Sequence, residues 1–225
     1  MDRPLIATEN LTKTYALGNI EVPALRRISL TLEQGEFASL SGPSGSGKTT
    51  LLNLLGLLDS PSAGTLAFDG VSMHYRGGMD LHRLRLEKIG FIFQTFNLIP
   101  VLTAYENVEY PLLLTRKSVA QRRESVERTL RAVKLWDFRK HKPNEMSGGQ
   151  RQRVAIARAL VNDPKLVLAD EPTANIDSST SAEILDLMRT LNEEEKVTFL
   201  FSTHDPVVVS YAKRTLKIHD GMLIN

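Results

Sequence analysis

The chain contains no cysteine, so no disulfide framework staples it, as expected of a protein kept in a reducing compartment. It also lacks an apolar run of the roughly 20 residues that cross a bilayer. The longest, "LLNLLGLL" at 51–58, is broken by Asn53 and Gly56. The opening "MDRPLIATEN" has neither the charged start nor the apolar middle of a secretory signal. No internal repeat and no low-complexity tract interrupts it. These absences read as a soluble, intracellular protein. Charge of one sign is missing too: 28 basic and 26 acidic residues leave a net +2, so the molecule as a whole is no obvious nucleic-acid binder.

What is present is 42% hydrophobic residues over 225 positions, enough to bury a sizeable core. Compact apolar runs, "FASLSG" (37–42), "KIGFIFQ" (88–94), "KLVLAD" (165–170) and "VTFLFST" (197–203), alternate with helical patterns. That alternation predicts an α/β fold with a mainly parallel sheet whose strands are covered on both faces. "LIATENLTKTY" and "AGTLAFDG" alternate polar with apolar residues and predict an antiparallel lobe, whereas the stretch from about 97 to 160 holds no strong strand and reads as mostly helical. The charge is uneven. Residues 116–142 carry ten Lys or Arg against Glu124, Glu127 and Asp137, a local excess of seven. One reading is the solvated face of a helix with Val119, Val126, Leu130 and Val133 as its apolar stripe. The other is a contact with anionic headgroups or an acidic partner.

The strongest chemical signal is "GPSGSGKTT": Gly42, Pro43, Ser44, Gly45, Ser46, Gly47, Lys48, Thr49 and Thr50. It follows an apolar strand and precedes a helix expected to start near Thr50, the context a phosphate-binding loop requires. Its glycines let backbone N–H groups converge on phosphates, Lys48 reaches the β- and γ-phosphates, and the Thr49 hydroxyl suits Mg²⁺. "LVLADEP" places Asp170 at a strand end as a magnesium or water ligand, with Glu171 next to polarise an attacking water. Gln94 and His204 close two further apolar strands. Ligands bind beyond the carboxyl ends of parallel strands, so four such ends carry ligand-competent groups. A second anion site, Ser147, Gly148, Gly149 and Gln150, precedes a helix. Two helix N-termini competing for one phosphate tail from one side is redundant. A site shared between two copies of the chain is not.

With these motifs in order, the sequence resembles the ATP-binding cassette (ABC) nucleotide-binding domains over nearly its whole length. The resemblance implies a single domain, 1–225, with a P-loop NTPase, RecA-like core and antiparallel β subdomain at about 1–94 and 161–225, and a helical subdomain at about 95–160. It implies ATP and Mg²⁺ as ligands, with Thr49, Gln94 and Asp170 at the metal and Glu171, His204 and Lys48 at the reacting phosphate. Tyr15 would stack on adenine. Ser147 to Gln150 would reach the nucleotide of a second copy, and Asp177 in the loop "ANID" would bridge the two sites. "GPSGSGKTTLLNLLGLLD", "IGFIFQTFNLIPVLTAYENVEYPL" and "DEPTANID" further resemble the branch that includes LolD, MacB, FtsE and BceA ATPases. That branch implies a head-to-tail homodimer that drives a permease with a large extracytoplasmic domain. The chain would then sit peripherally on the cytoplasmic side of the inner membrane, with Phe96, Asn97 and Leu98 lining the groove for the permease's coupling helix. Met146 stands where the branch has leucine, and Ala174 where it has glycine. Two other classes stay in view. A soluble ABC ATPase acting on nucleic acid is favoured only by the basic 116–142 stretch, and Lys48 and Ser147 are 99 residues apart with no sustained heptads between them. A small-molecule kinase would have no use for the second anion site.

Overall fold

The computed structural model describes residues 3–18, 20–75 and 80–224. The chain opens with β1 (Ile6–Leu17), β2 (Ile20–Leu32), β3 (Phe37–Ser41) and α1 (Lys48–Leu55), then β4 (Ala63–Phe68), β5 (Val71–Ser72), α2 (Leu81–Lys88) and β6 (Ile89–Ile92). A helical stretch follows: α3 (Ala104–Glu109), α4 (Val119–Ala132) and α5 (Gly148–Leu160), linked through short 3₁₀ turns. The last part alternates β7 (Leu166–Asp170), α6 (Ser178–Glu195), β8 (Thr198–Thr203), α7 (Pro206–Ser210), β9 (Arg214–His219) and β10 (Met222–Ile224). Two sheets result: an antiparallel one ordered β2-β1-β4-β5, and a six-stranded one ordered β10-β9-β3-β8-β7-β6. The second is parallel from β9 to β6, with β10 antiparallel at its edge.

Successive strand side chains face opposite ways, so the central strands feed two cores. Phe37, Val167, Ala169, Phe199 and Phe201 point toward α3, α4, α5 and α6. Ala38, Leu40, Leu166, Leu168 and Leu200 point toward α1 and the antiparallel sheet. Phe37 anchors the first core, its ring 5.7 Å from Phe199 and 5.1 Å from Phe201, both tilted, a favoured aromatic geometry. The helical stretch shares this core, and α5 lies directly on β6. A Cβ on Gly90 would sit 2.3 Å from the carbonyl oxygen of Ala159.

Several expectations shift. The helix after the glycine loop starts at Lys48, two residues early, because Gly47 at φ 105° already turns the chain. β6 stops at Ile92, so Gln94 lies in the following loop. β2 was not anticipated: its outer half is exposed, which leaves little apolar periodicity to read. Val126, Leu130 and Val133 are fully buried, but Val119 is 70% exposed. It opens α4 directly after the Ser118 cap and projects before the helix meets the core. Met146 is buried in the first core, as its volume match to leucine requires. Ala174 does not adopt positive φ, so the missing glycine costs nothing there. Part of the basic stretch is internally neutralised: Arg122 pairs with Glu109, Arg128 with Asp163 and Arg131 with Glu127, while Arg131 and Arg139 lie over Trp136.

The seating of α5 is testable. Gly90→Ala is expected to lower unfolding free energy by about 1–3 kcal/mol in urea denaturation, while Val119→Ala changes it by less than about 0.5 kcal/mol. An unchanged midpoint for Gly90→Ala would mean that α5 does not lie against β6 as described.

Candidate functional site

The glycine loop links β3 to α1 and is held in a narrow passage. A Cβ on Gly42 would lie 2.1 Å from the Ile218 carbonyl oxygen, and one on Gly47 2.8 Å from that of Ala24. Gly45 and Gly47 adopt positive φ, conformations that glycine reaches without strain. The first turn of α1 has neither a side-chain cap nor an acidic residue. Its N–H groups and the positive end of its dipole are therefore available to an anion. Lys48 is nearly buried, at 7% exposure. Its ammonium donates to the carbonyl oxygens of Gly42 (2.7 Å) and Pro43 (3.0 Å) and pairs with no carboxylate among the described residues. A buried cation without a counter-charge is costly, and a phosphate tail supplies one. The buried Ser46 hydroxyl also finds no partner among the described residues.

Across the cleft, the Thr49 hydroxyl donates to Asp170 Oδ2 at 2.9 Å, and Asp170 Oδ1 accepts from the Ser202 hydroxyl. Among the described residues no three His, Cys, Asp or Glu side chains cluster. One carboxylate beside a hydroxyl suits Mg²⁺, which keeps waters and takes its remaining ligands from phosphate. Glu171 follows β7 in a left-handed conformation, φ 47°, with its N–H bonded to the Ser202 carbonyl at 3.1 Å. This turns its side chain toward His204, whose Nδ1–H donates to Glu171 Oε1 at 2.7 Å. The glutamate is mostly covered (15%) and the histidine open (69%). A cleft of about 790 Å³ brings together Pro43, Ser44, Gly45, Gly47, Lys48, Thr49, Thr50, Gln94, Asp170, Glu171 and His204.

Sequence reasoning missed other parts of this wall. Val22, Pro23, Ala24 and Arg26 of β2, and Asp220 and Gly221 of the β9–β10 turn, also line the cleft. The only local signal was the glycine turn at 220–221; sheet order delivers the rest. Tyr15 is not among the lining residues. It faces Val22 across the β1–β2 ladder, and its phenol donates to Asp59 Oδ2 at 3.0 Å.

None of Ser147, Gly148, Gly149 or Gln150 lines the cleft either. Ser147 caps α5 through a reciprocal pair: its hydroxyl accepts from the Gln150 N–H at 3.2 Å, and Gln150 Oε1 accepts from the Ser147 N–H at 2.9 Å. The N–H groups of Gly148 and Gly149, in the helix's first turn, have no intrahelical acceptor. The rest of α5 is tied to the same chain's cleft. Gln152, fully buried, donates to the Pro172 carbonyl. Arg158 donates to the carbonyls of Phe96 and Asn97, both at positive φ. Asn175 donates to the Gln94 carbonyl at 2.7 Å. Asp177 caps α6, accepting from the Ser179 hydroxyl at 2.6 Å and the Thr180 N–H at 2.9 Å; these bonds hold its carboxyl well below the usual range.

The profile of the family described as ABC transporter matches residues 25–174. MJ0796 of Methanocaldococcus jannaschii, described as an uncharacterized ABC transporter ATP-binding protein, is 45% identical over 96% of this chain and 94% of its own length. A macrolide export ATP-binding/permease protein, MacB, of Syntrophobacter fumaroxidans is 48% identical over 97% of this chain but only 31% of its own. Among solved structures, the dimer of MJ0796 in a post-hydrolysis state with ADP and Pi superposes with a TM-score of 0.88. It is 44% identical and covers 98% of this chain and 97% of the other.

Gly149 packs α5 against α6, where a Cβ would lie 2.3 Å from Thr180 Cγ2. Gly149→Ala is expected to cost about 1–3 kcal/mol in urea denaturation. Adding Thr180→Ser, which removes that methyl and keeps the hydroxyl, should recover most of the loss. No recovery would mean that the two helices are not in contact at this point.

Proposed function

This chain belongs to the ABC transporter family of ATP-binding proteins, and on that premise we propose how its residues hydrolyse ATP and drive a membrane partner. It is the ATPase subunit of a membrane ABC complex, of the LolD/MacB-like branch, working on Mg-ATP as a head-to-tail homodimer. The observation that carries the dimeric site is the exclusion of Ser147–Gln150 from the chain's own cleft. The second anion site is seated against α6 at Gly149 and Thr180 and not in the cleft wall, which supports its serving the nucleotide of a second copy, as does the dimer of the relative MJ0796.

In the proposed cycle, Gly42, Pro43, Ser44, Gly45, Ser46, Gly47 and Thr50 wrap the triphosphate, and Lys48 neutralises its β- and γ-oxygens. Tyr15 stacks on adenine. Thr49 and Asp170, with Gln94, would hold Mg²⁺, which when bound would supply further charge neutralisation on the phosphates. Glu171 accepts a hydrogen bond from the attacking water and orients it. His204 orients Glu171 through its Nδ1–H bond at the wall of the same cleft. As the water oxygen bonds to the γ-phosphorus, the bond to the β-bridging oxygen breaks, giving ADP and phosphate. Ser147, Gly148, Gly149 and Gln150 of the second copy close the site from the other side, with Asp177 at the seam. Phosphate release separates the copies.

The permease is the other partner, consistent with the fused relative named as an ATP-binding/permease protein. A cavity of about 810 Å³ beside the Gln94 loop, walled by Phe93, Asn97, Leu114, Arg116 and Arg158, supports a docking groove for its coupling helix; of the expected Phe96, Asn97 and Leu98, Asn97 alone lines it. The helical part at about 95–160 then moves with the permease, and the protein sits on the cytoplasmic face of the inner membrane through that contact. No helix among the described residues is long and apolar enough to cross a membrane.

Light scattering tests the shared site. Glu171→Gln with Mg-ATP is expected to shift from monomer to dimer, and adding Ser147→Arg is expected to abolish the shift while ATP still binds. Glu171→Gln remaining monomeric at high concentration would refute the shared site. Lys48→Ala is expected to weaken ATP binding by more than about tenfold, as loss of a charge-assisted contact.

A further inference from the structure

Lys13, Tyr15 and Asp59 form a cluster beside the cleft that the phosphate chemistry does not use. Asp59 lies in the segment leaving α1, where the N–H groups of Leu58 and Asp59 bond back to the Asn53 carbonyl. Its Oδ2 accepts from the Tyr15 phenol at 3.0 Å, and its Oδ1 accepts from Lys13 Nζ and from the Ser60 N–H, both at 2.7 Å. Lys13 also donates to the Ser60 carbonyl at 2.8 Å. Its ammonium stands 4.8 Å from the Tyr15 ring centroid, within range of a cation–π contact. Burial, reinforced by the bond to Asp59, pushes the phenol's pKa up, so it stays a neutral donor. For Asp59, burial works toward protonation, but Lys13, Ser60 and Tyr15 outweigh it and the carboxylate stays ionised.

The ring of Tyr15 is thus pinned at its hydroxyl and covered on one face by an ammonium, which leaves its other face as the stacking surface. Its ladder partner Val22 and its neighbour Thr50 both line the cleft, so the ring stands at the cleft's edge. The same segment is stitched to β1 again at Ser62, whose N–H bonds to the Thr12 carbonyl at 2.8 Å and whose hydroxyl accepts from the Thr14 N–H at 3.0 Å. We propose that Asp59 and Lys13 are positioning residues for the nucleotide base. They fix the angle of the Tyr15 ring and tie it to the helix that carries the phosphate loop, so that base and triphosphate are gripped in one register. This rests on the reading of Tyr15 as the residue that stacks on adenine.

Titration calorimetry with two probes, ATP and inorganic tripolyphosphate, tests the clamp. Tyr15→Phe keeps the ring and removes only the pin. It is expected to weaken ATP binding about 3–10-fold, the worth of one hydrogen bond, and to leave tripolyphosphate binding unchanged. Asp59→Ala should do the same, and the double variant should lose no more than the larger single loss. If Asp59→Ala does not fold, because it strands a buried Lys13, Tyr15→Phe decides alone. Wild-type ATP affinity in Tyr15→Phe, with Tyr15→Ala clearly weakened, overturns the clamp and leaves the stacking role standing. Wild-type affinity in Tyr15→Ala as well overturns the stacking role and the clamp together. Equal weakening toward ATP and tripolyphosphate also overturns the clamp, because the damage would then lie in α1.

Discussion

The cleft is organised around a buried charge that no carboxylate neutralises among the described residues. The Lys48 ammonium is buried and held by two carbonyl oxygens of its own loop, and no carboxylate is within pairing distance among the described residues. In a medium of low dielectric, such a cation raises the local potential far more than a surface lysine would. The groups around it accommodate this. Asp170 is occupied by the hydroxyls of Thr49 and Ser202, and Glu171 by His204. Neither carboxylate pairs with the lysine, so its charge is not cancelled by Asp170 or Glu171.

How much of this was legible in the sequence follows from the range of each interaction. The phosphate loop, the Asp170–Glu171 pair and the strand-end His204 are local patterns: an apolar run fixes a strand, and the next residue falls at its carboxyl end. The covering of both sheet faces was equally readable in the compact apolar runs at Phe37 to Ser41 and Thr198 to Thr203. What escaped depends on distant chain segments. Arg26 and Asp220 reach the cleft only because β2 curls over it and β9 pairs with β3. Val119 fits a helical stripe by spacing, yet it stands outside because the helix begins before the core does. The link from Tyr15 to Asp59 spans 44 residues, and no periodicity announces it.

The second anion site looked redundant as a pattern. In the fold it belongs to a helix engaged along its length: its first residues at Gly149 touch Thr180, its middle at Gln152 grips the turn after Asp170, and Arg158 near its far end fastens the loop after Gln94. Ser147–Gln150 are therefore mounted on the same element that contacts the turn after Asp170. In the proposed dimer, the two nucleotides would be mechanically joined through it.

The length of α5 gives that joint a gain. Thirteen residues of α-helix extend about 20 Å. From Arg158 to Ser147 the arm is about 16 Å, so a tilt of about 5° about the Arg158 end would swing Ser147 through roughly 1.4 Å. Hydrogen bonds weaken steeply over less than that distance. A change of tilt where Arg158 meets Phe96 and Asn97 would therefore be felt at the anion site at the other end.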